Sequence, residues 1–185
     1  MGVDALMVQA VFLDRDGVLN SAVVRDGKPY PPETAEEVEV LPGVREAVER
    51  LMGAGFRLIV VTNQPDVARG TKSRAQIEEV HARLGRELGL NDFRTCFHDD
   101  KDACPCRKPA PGLLVSAAAD LAINLSHSYM VGDRWRDVEA GQRAGCTSIF
   151  VDCEYRERYP AEPFIRVTSL AEAADWILEK EKRSK

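Results

Sequence analysis

The segment VQAVFLD (8–14) is a compact β-branched and aromatic run, the pattern of a strand buried on both faces. RLIVVT (57–62), SYMVGD (128–133) and TSIFVD (147–152) repeat that pattern, and residues 93–98 supply one further strand. Between them the period changes. Val44, Val48, Leu51 and Met52 fall at i, i+4, i+7 and i+8, one apolar helical face that Gly53 and Gly55 help to close. Residues 73–88 are helical, with Ser73 and Gln76 placed as a capping box. Residues 111–122, 135–144 (closed by Gly145) and 169–182 also read as helices. This alternation predicts an α/β chain: a Rossmann-like, doubly wound parallel sheet covered by helices on both faces. Its 185 residues are expected to form a single domain, 1–185. Residues 20–42 are long for a strand-to-helix connection and are expected to act as a flap over the site. There is no internal repeat and no low-complexity tract, and the terminal KEKRSK reads as a solvated end.

Composition narrows the classes. Hydrophobic residues are 44% of the chain, enough for a core, and the net charge of -5 argues against a nucleic-acid binder driven by phosphate neutralisation. No apolar run approaches the ~20 residues of a membrane span. The opening MGVDALMVQAVF has no Lys or Arg before Arg15, unlike a signal peptide, and Leu6 breaks the myristoylation pattern. A cytoplasmic, non-membrane protein is expected. Three of the five cysteines lie between positions 96 and 106, and in a reducing compartment they read as metal ligands before disulfides.

In an open parallel sheet, ligands bind at the carboxyl ends of the strands. The first strand ends in Asp14-Arg15-Asp16-Gly17, the second in Thr62-Asn63-Gln64 and the fourth in Gly132-Asp133, with Asp137 one helical turn later. Crowded carboxylates repel one another unless a cation sits among them, and hard oxygen ligands favour Mg²⁺. A phosphate ester is the natural third party, and Arg107-Lys108 supplies further positive charge if its loop folds back. Taken alone, Asp-X-Asp-Gly is compatible with a simple turn and Thr62 with a strand end. Asp137 is open between metal support and helix capping.

Cys96, His98, Cys104 and Cys106 form a Cys₃His set suited to tetrahedral zinc. A Cys104–Cys106 disulfide would close a strained ring, and the polar surroundings disfavour buried thiols. Zinc would fix the loop so that Arg107 and Lys108 point at the substrate. Cys146 and Cys153 read as core filler. His81 and His127 read as structural or surface residues, Asp99, Asp100 and Asp102 as a solvated loop face, and Trp135 and Trp176 as packing.

DRDGVLN, VVTNQ, RKP and VGDRWRD, in that order over residues 11–137, resemble the four motifs of the haloacid dehalogenase superfamily of aspartate-nucleophile phosphatases. The block Cys96–Pro109 is similar to the branch holding the D-glycero-D-manno-heptose-1,7-bisphosphate 7-phosphatases and histidinol-phosphate phosphatases, which carry zinc in a loop (here 96–109) beside the site. The resemblance implies a fold without a large cap domain, Asp14 as nucleophile and Asp16 as acid and base. It implies Mg²⁺ on Asp14, the Asp16 backbone carbonyl and Asp133. Thr62 and Lys108 would complete the catalytic set, and Arg15, Asn63, Gln64, Arg107 and Arg134 would contact substrate.

The substrate is expected to be a small phosphorylated sugar, taken by a monomer. The five-residue gap between His98 and Cys104 is closer to the histidinol type, whereas the stretch from Val38 to Gly70 runs close to the heptose pattern. A second phosphate would also occupy Arg69, Arg107 and Arg134. Arg25 and Lys28 could meet it too. Arg134 stands where the family tends to have Lys. The heptose 1,7-bisphosphate is the favoured substrate, with a histidinol-phosphate or other sugar-phosphate phosphatase as the alternative. A catalytically inactive, zinc-stabilised regulatory domain is the reading from another class.

Overall fold

β1 (Ala10–Leu13) is buried along its whole length because strands pair with it on both sides. The structure is a computed structural model that describes residues 8–183. The readings that rest on Leu6 and on the last two residues of the tail lie outside the described residues. After β1 come a short hairpin, β2 (Val23–Arg25) and β3 (Lys28–Tyr30), then α1 (Val44–Gly53), β4 (Arg57–Asn63), α2 (Arg74–Leu88) and β5 (Phe93–Cys96). The chain continues through α3 (Gly112–Leu121), β6 (Tyr129–Gly132), α4 (Trp135–Ala144), β7 (Thr147–Val151), β8 (Ile165–Val167) and α5 (Leu170–Arg183).

The main sheet has the order β5-β4-β1-β6-β7-β8, and every neighbouring pair is parallel. The chain works outward from β1 through β4 to β5, then returns to the other side of β1 with β6. Strand order therefore reverses between β1 and β6, the switch point at which α/β sheets receive ligands. Successive side chains of a strand face opposite ways, which divides the core in two. Val11 and Leu13 join α1, α2 and α5 in one cluster, while Ala10 and Phe12 join α3 and α4 in the other. Both sheet faces are thus covered, as the unbroken apolar strands require.

Two elements depart from the sequence reading. The hairpin β2–β3 occupies part of 20–42, with Asp26 and Gly27 both at positive φ (53° and 76°) in its turn. β8 is a three-residue edge strand, too short to carry a recognisable pattern. Among the described residues the segment between β1 and α1 holds this hairpin and no large cap domain. None of the described helices is long and apolar enough to cross a membrane.

His127 is exposed in the turn before β6. His81 is part of the core: it stacks on Phe93 with ring centroids 4.8 Å apart, and its Nε2 is buried without a hydrogen-bond partner. Burial, with the Arg15 guanidinium adding to it, pushes its pKa down to about 4. The unfolded chain therefore binds a proton on this ring at a pH where the folded chain does not, so stability falls as pH drops from about 6.5 towards 4. The full effect is about 3 kcal/mol. Urea denaturation of wild type and His81→Phe across that window should show their stability difference drifting by this order in favour of Phe at low pH. A constant difference would contradict a neutral buried imidazole.

Candidate active site

Asp14 leaves the sheet at the switch point: its N–H donates to Val131 O (2.9 Å), extending the β1–β6 ladder by one rung before the chain turns. Gly17 makes the turn possible. Its φ is 88°, and a Cβ there would lie 1.9 Å from Asp133 Oδ2. The loop is pressed so closely on the end of β6 that a side chain has no room. Asp14 and Asp133 are thereby brought together from adjacent strand ends.

Lys108 enters from the opposite side. Its Nζ donates to Asp14 Oδ1 (2.7 Å) and Val61 O (2.7 Å) and lies 2.6 Å from Asp137 Oδ1. Three acceptors use all three ammonium protons. Asn63 holds the lysine backbone from both sides: its Nδ2 donates to Lys108 O (3.0 Å) and its Oδ1 accepts from Lys108 N (3.1 Å). Lys108, Asp14, Asp133 and Asp137 are each at most 8% exposed, so their charges act in a poorly screened medium. Burial raises the Asp14 pKa to about 6, against the pull of Lys108 and with Asp137 and Asp16 adding to the rise. Burial alone would neutralise Lys108, but Asp137 and Asp14 hold its pKa above that of an ordinary lysine.

Asp133 has no such partner. Neither of its buried carboxylate oxygens receives a well-formed hydrogen bond. Burial, Asp14 and Asp137 push its pKa well above the usual range, and the neighbouring Tyr155 hydroxyl offsets this only in part. Asp14, Asp133 and Asp137 present oxygens all within 4.8 Å of one another, against one ammonium. Orphaned carboxylate oxygens facing other carboxylates are what a hard divalent cation satisfies. The donor set fits Mg²⁺.

Asp16 is held differently. Arg15 grips its carboxylate (Nη2–Oδ2 2.9 Å), Asn20 Nδ2 donates to Oδ1 (3.0 Å) and Gln64 Nε2 to Oδ2 (3.1 Å). Burial works to raise the Asp16 pKa, yet Arg15, Asn20 and Gln64 together bring it below the usual carboxylate range. Gln64 also donates to Thr62 Oγ1 (2.9 Å), tying the ends of β1 and β4 together.

The loop after β5 gathers the cysteines. The Sγ atoms of Cys96, Cys104 and Cys106 are 3.3–3.6 Å apart, and His98 Nδ1 lies 3.5 Å from Cys96 and 3.3 Å from Cys106. A disulfide needs about 2.05 Å, and all five cysteines are free. A tetrahedral zinc with ~2.3 Å bonds separates its sulfurs by roughly 3.7 Å. The four groups fit zinc with little adjustment. Cys146 is buried before β7, and Cys153 is half-buried against the core.

A cleft of about 240 Å³ opens above Asp14. It brings together Asp14, Asp16, Thr62, Asn63, Gln64, Arg107, Lys108 and Arg134 of the residues expected at the site, while Arg15 and the buried Asp133 do not line it. Arg15 is fully buried and committed to Asp16, so its contact is with the catalytic loop and not with a ligand. Arg25 also stays off the cleft, paired with Glu33 (2.8 Å), whereas Lys28 and Tyr30 of the hairpin join its wall. Asp99 and Asp100 are not a bare solvated face. Asp99 receives two bonds from Arg69 (2.7 and 3.0 Å), and Asp100 meets Arg107 (2.9 Å) and Arg136 (3.3 Å). Arg134 pairs with Glu157 across the rim (2.8 Å). Trp135 carries Arg136 and Arg158 over its ring, and Trp176 packs edge-on against Tyr129.

Three contributors were not legible in the sequence. Arg136 lies inside VGDRWRD without having been singled out, and Glu157 lies beyond the four motifs. Of the two roles left open for Asp137 the structure shows the cap, its Oδ2 accepting from Arg134 N (3.0 Å), and its Oδ1 meets Lys108 as a counter-ion (2.6 Å).

The family model of haloacid dehalogenase-like hydrolases matches residues 32–145. The D-glycero-beta-D-manno-heptose-1,7-bisphosphate 7-phosphatase of Escherichia coli (strain K12) is 36% identical, over 94% of this chain and 90% of its own length. The protein of that name from Pseudomonas aeruginosa is 38% identical over 76% of this chain and 79% of its own. Among solved structures, the D,D-heptose 1,7-bisphosphate phosphatase from B. bronchiseptica, complexed with magnesium and phosphate, superposes with a TM-score of 0.82 at 29% identity. It covers 94% of this chain and 99% of that one.

Replacing Lys108 with Met would leave Asp14 and Asp137 buried without their cation. Stability in metal-free buffer should fall by about 3 kcal/mol, and acidification should recover part of the loss as the carboxyls protonate. Denaturant titrations at two pH values check this, and unchanged stability would mean that the ammonium is not what holds the pair.

Proposed function

Because the chain belongs to the haloacid dehalogenase-like hydrolase family, we propose that it is a Mg²⁺-dependent phosphatase that removes the 7-phosphate of D-glycero-D-manno-heptose 1,7-bisphosphate. The observation that carries this is the buried set Asp14–Lys108–Asp137 beside an unpartnered Asp133, at the foot of a cation-rimmed cleft. The relatives' names support the substrate.

Asp14, Asp133 and the Asp16 backbone carbonyl would hold Mg²⁺, which when bound offsets negative charge on the transferring phosphoryl group. Lys108 keeps the Asp14 carboxylate ionised and faces the same charge. An Asp14 oxygen attacks phosphorus, and the bond from phosphorus to the C7 oxygen breaks. The leaving alkoxide takes a proton from Asp16, giving the sugar hydroxyl and a phosphorylated Asp14. Asp16 then accepts a proton from water as the water oxygen attacks phosphorus, releasing inorganic phosphate and regenerating Asp14. Delivering a proton requires Asp16 to leave its grip on Arg15, Asn20 and Gln64, which favours the ionised form. Thr62 bonds the phosphoryl oxygens, while Asn63, committed to the Lys108 backbone, positions that lysine. Arg107, Arg69 and Arg134 line the cleft, which supports reception of the second phosphate at its rim.

The Cys96–His98–Cys104–Cys106 cluster would hold a structural zinc that fixes the approach of Lys108 and Arg107. Protein purified without chelator should contain about one zinc per chain and lose thermal stability when it is stripped. Zinc-free protein of unchanged stability would remove this role.

Asp14→Asn should lower kcat at least about a thousandfold. Asp16→Asn should slow both formation and breakdown of the phosphoenzyme, by about a hundredfold or more. A substrate panel of both heptose 1,7-bisphosphate anomers, histidinol phosphate and simple sugar phosphates tests specificity by kcat/KM. A preference for histidinol phosphate would overturn the substrate, and near-normal turnover by Asp14→Asn would overturn the nucleophile.

A further inference from the structure

Asp100 Oδ1 accepts from two guanidinium groups on separate elements: Arg107 Nε of the cysteine loop (2.9 Å) and Arg136 Nη1 of α4 (3.3 Å). All three residues line the cleft. Neither guanidinium is free to wander. Arg107 also donates to His98 O (3.2 Å), and Arg136 lies over the Trp135 ring, 4.7 Å from its centroid. The carboxylate itself is 55% exposed on its side chain, at the end of a polar loop. Two fixed cations thus converge on a replaceable anion.

We propose that Asp100 is an internal competitor for the distal phosphate of the substrate: it occupies the Arg107–Arg136 pair until a phosphate displaces it, and so moderates the hold of the cleft on bisphosphates. This rests on the phosphatase reading above. A phosphate monoester carries up to two negative charges and three acceptor oxygens, against one charge and two oxygens for a carboxylate. It can outbid Asp100, whereas a sugar hydroxyl or a ligand carboxylate cannot. The resident carboxylate thereby screens out weaker anions between turnovers. Asp102 provides the internal control. It lies on the same loop and carries the same charge, but it turns to the Asp99 backbone N–H (2.7 Å).

The test compares KM for heptose 1,7-bisphosphate with KM for heptose 7-phosphate in wild type, Asp100→Asn and Asp102→Asn. Two exposed ion pairs of this kind correspond to about a fivefold effect. Asp100→Asn should lower KM for the bisphosphate by that factor and leave KM for the monophosphate unchanged, while Asp102→Asn moves neither. Equal shifts for both substrates, equal effects of the two variants, or a raised bisphosphate KM in Asp100→Asn would each overturn the proposal. Should Asp100→Asn fold poorly or lose zinc, Arg136→Gln decides: KM for the bisphosphate must rise and that for the monophosphate must not. Wild-type protein that releases no phosphate from the bisphosphate would instead sink the functional reading itself.

Discussion

A single buried ammonium makes the carboxyl edge of this sheet possible. Without Lys108, Asp14 and Asp137 would be two carboxylates held together in a low-dielectric site, and Asp133 beside them would be a third. Such a cluster neutralises itself by taking up protons, which would remove the charge that attack on phosphorus needs. Burial holds the Asp14 pKa up at about 6 even with the lysine present. The remaining imbalance sits on Asp133, and its unpartnered oxygens are the structural reason to expect a divalent cation.

Much of the local architecture serves to bring that lysine in. Lys108 is 94 residues from Asp14 in sequence and reaches it through a loop with little apolar content of its own. Asn63 clasps the lysine backbone, the cysteine cluster fixes the loop upstream, and Val61 O takes the third proton. Each support comes from a strand end or from the loop after one, so the order β5-β4-β1-β6 sets their mutual positions. The close approach at Gly17 completes the arrangement by letting the catalytic loop lie against Asp133.

Five of the six main-sheet strands and all five helices were legible because burial on both faces and helical periodicity leave strong marks: Ala10–Leu13 and the Ser73–Gln76 capping box are where the pattern puts them. The hairpin went unseen although Asp26-Gly27 is a strong turn signal, because its strands are three residues long and exposed. At the site Asp14, Asp16, Thr62 and Lys108 stand out in their motifs, whereas Arg136, inside VGDRWRD, and Glu157, outside every motif, do not. Asp137 looks like a helix cap in sequence and becomes a counter-ion only when the fold sets Lys108 against it. Arg15 errs in the opposite direction. An arginine between two aspartates reads as a ligand contact, yet the turn at Gly17 folds it inward onto Asp16.

The cysteine loop then does what a cap domain would otherwise do. A capped phosphatase closes a second domain over its substrate to exclude water and read the leaving group, whereas this cleft has a short hairpin on one side and the metal-suited loop on the other. The loop carries Lys108, which meets Asp14, and Arg107, Asp99 and Asp100, whose ion pairs hold the rim arginines in place. These groups lie within ten residues of one another and beside four side chains that could hold a metal. Selectivity built this way is confined to a few charged contacts at the rim, which is why exchanging one carboxylate there can alter substrate preference without touching the chemistry at Asp14.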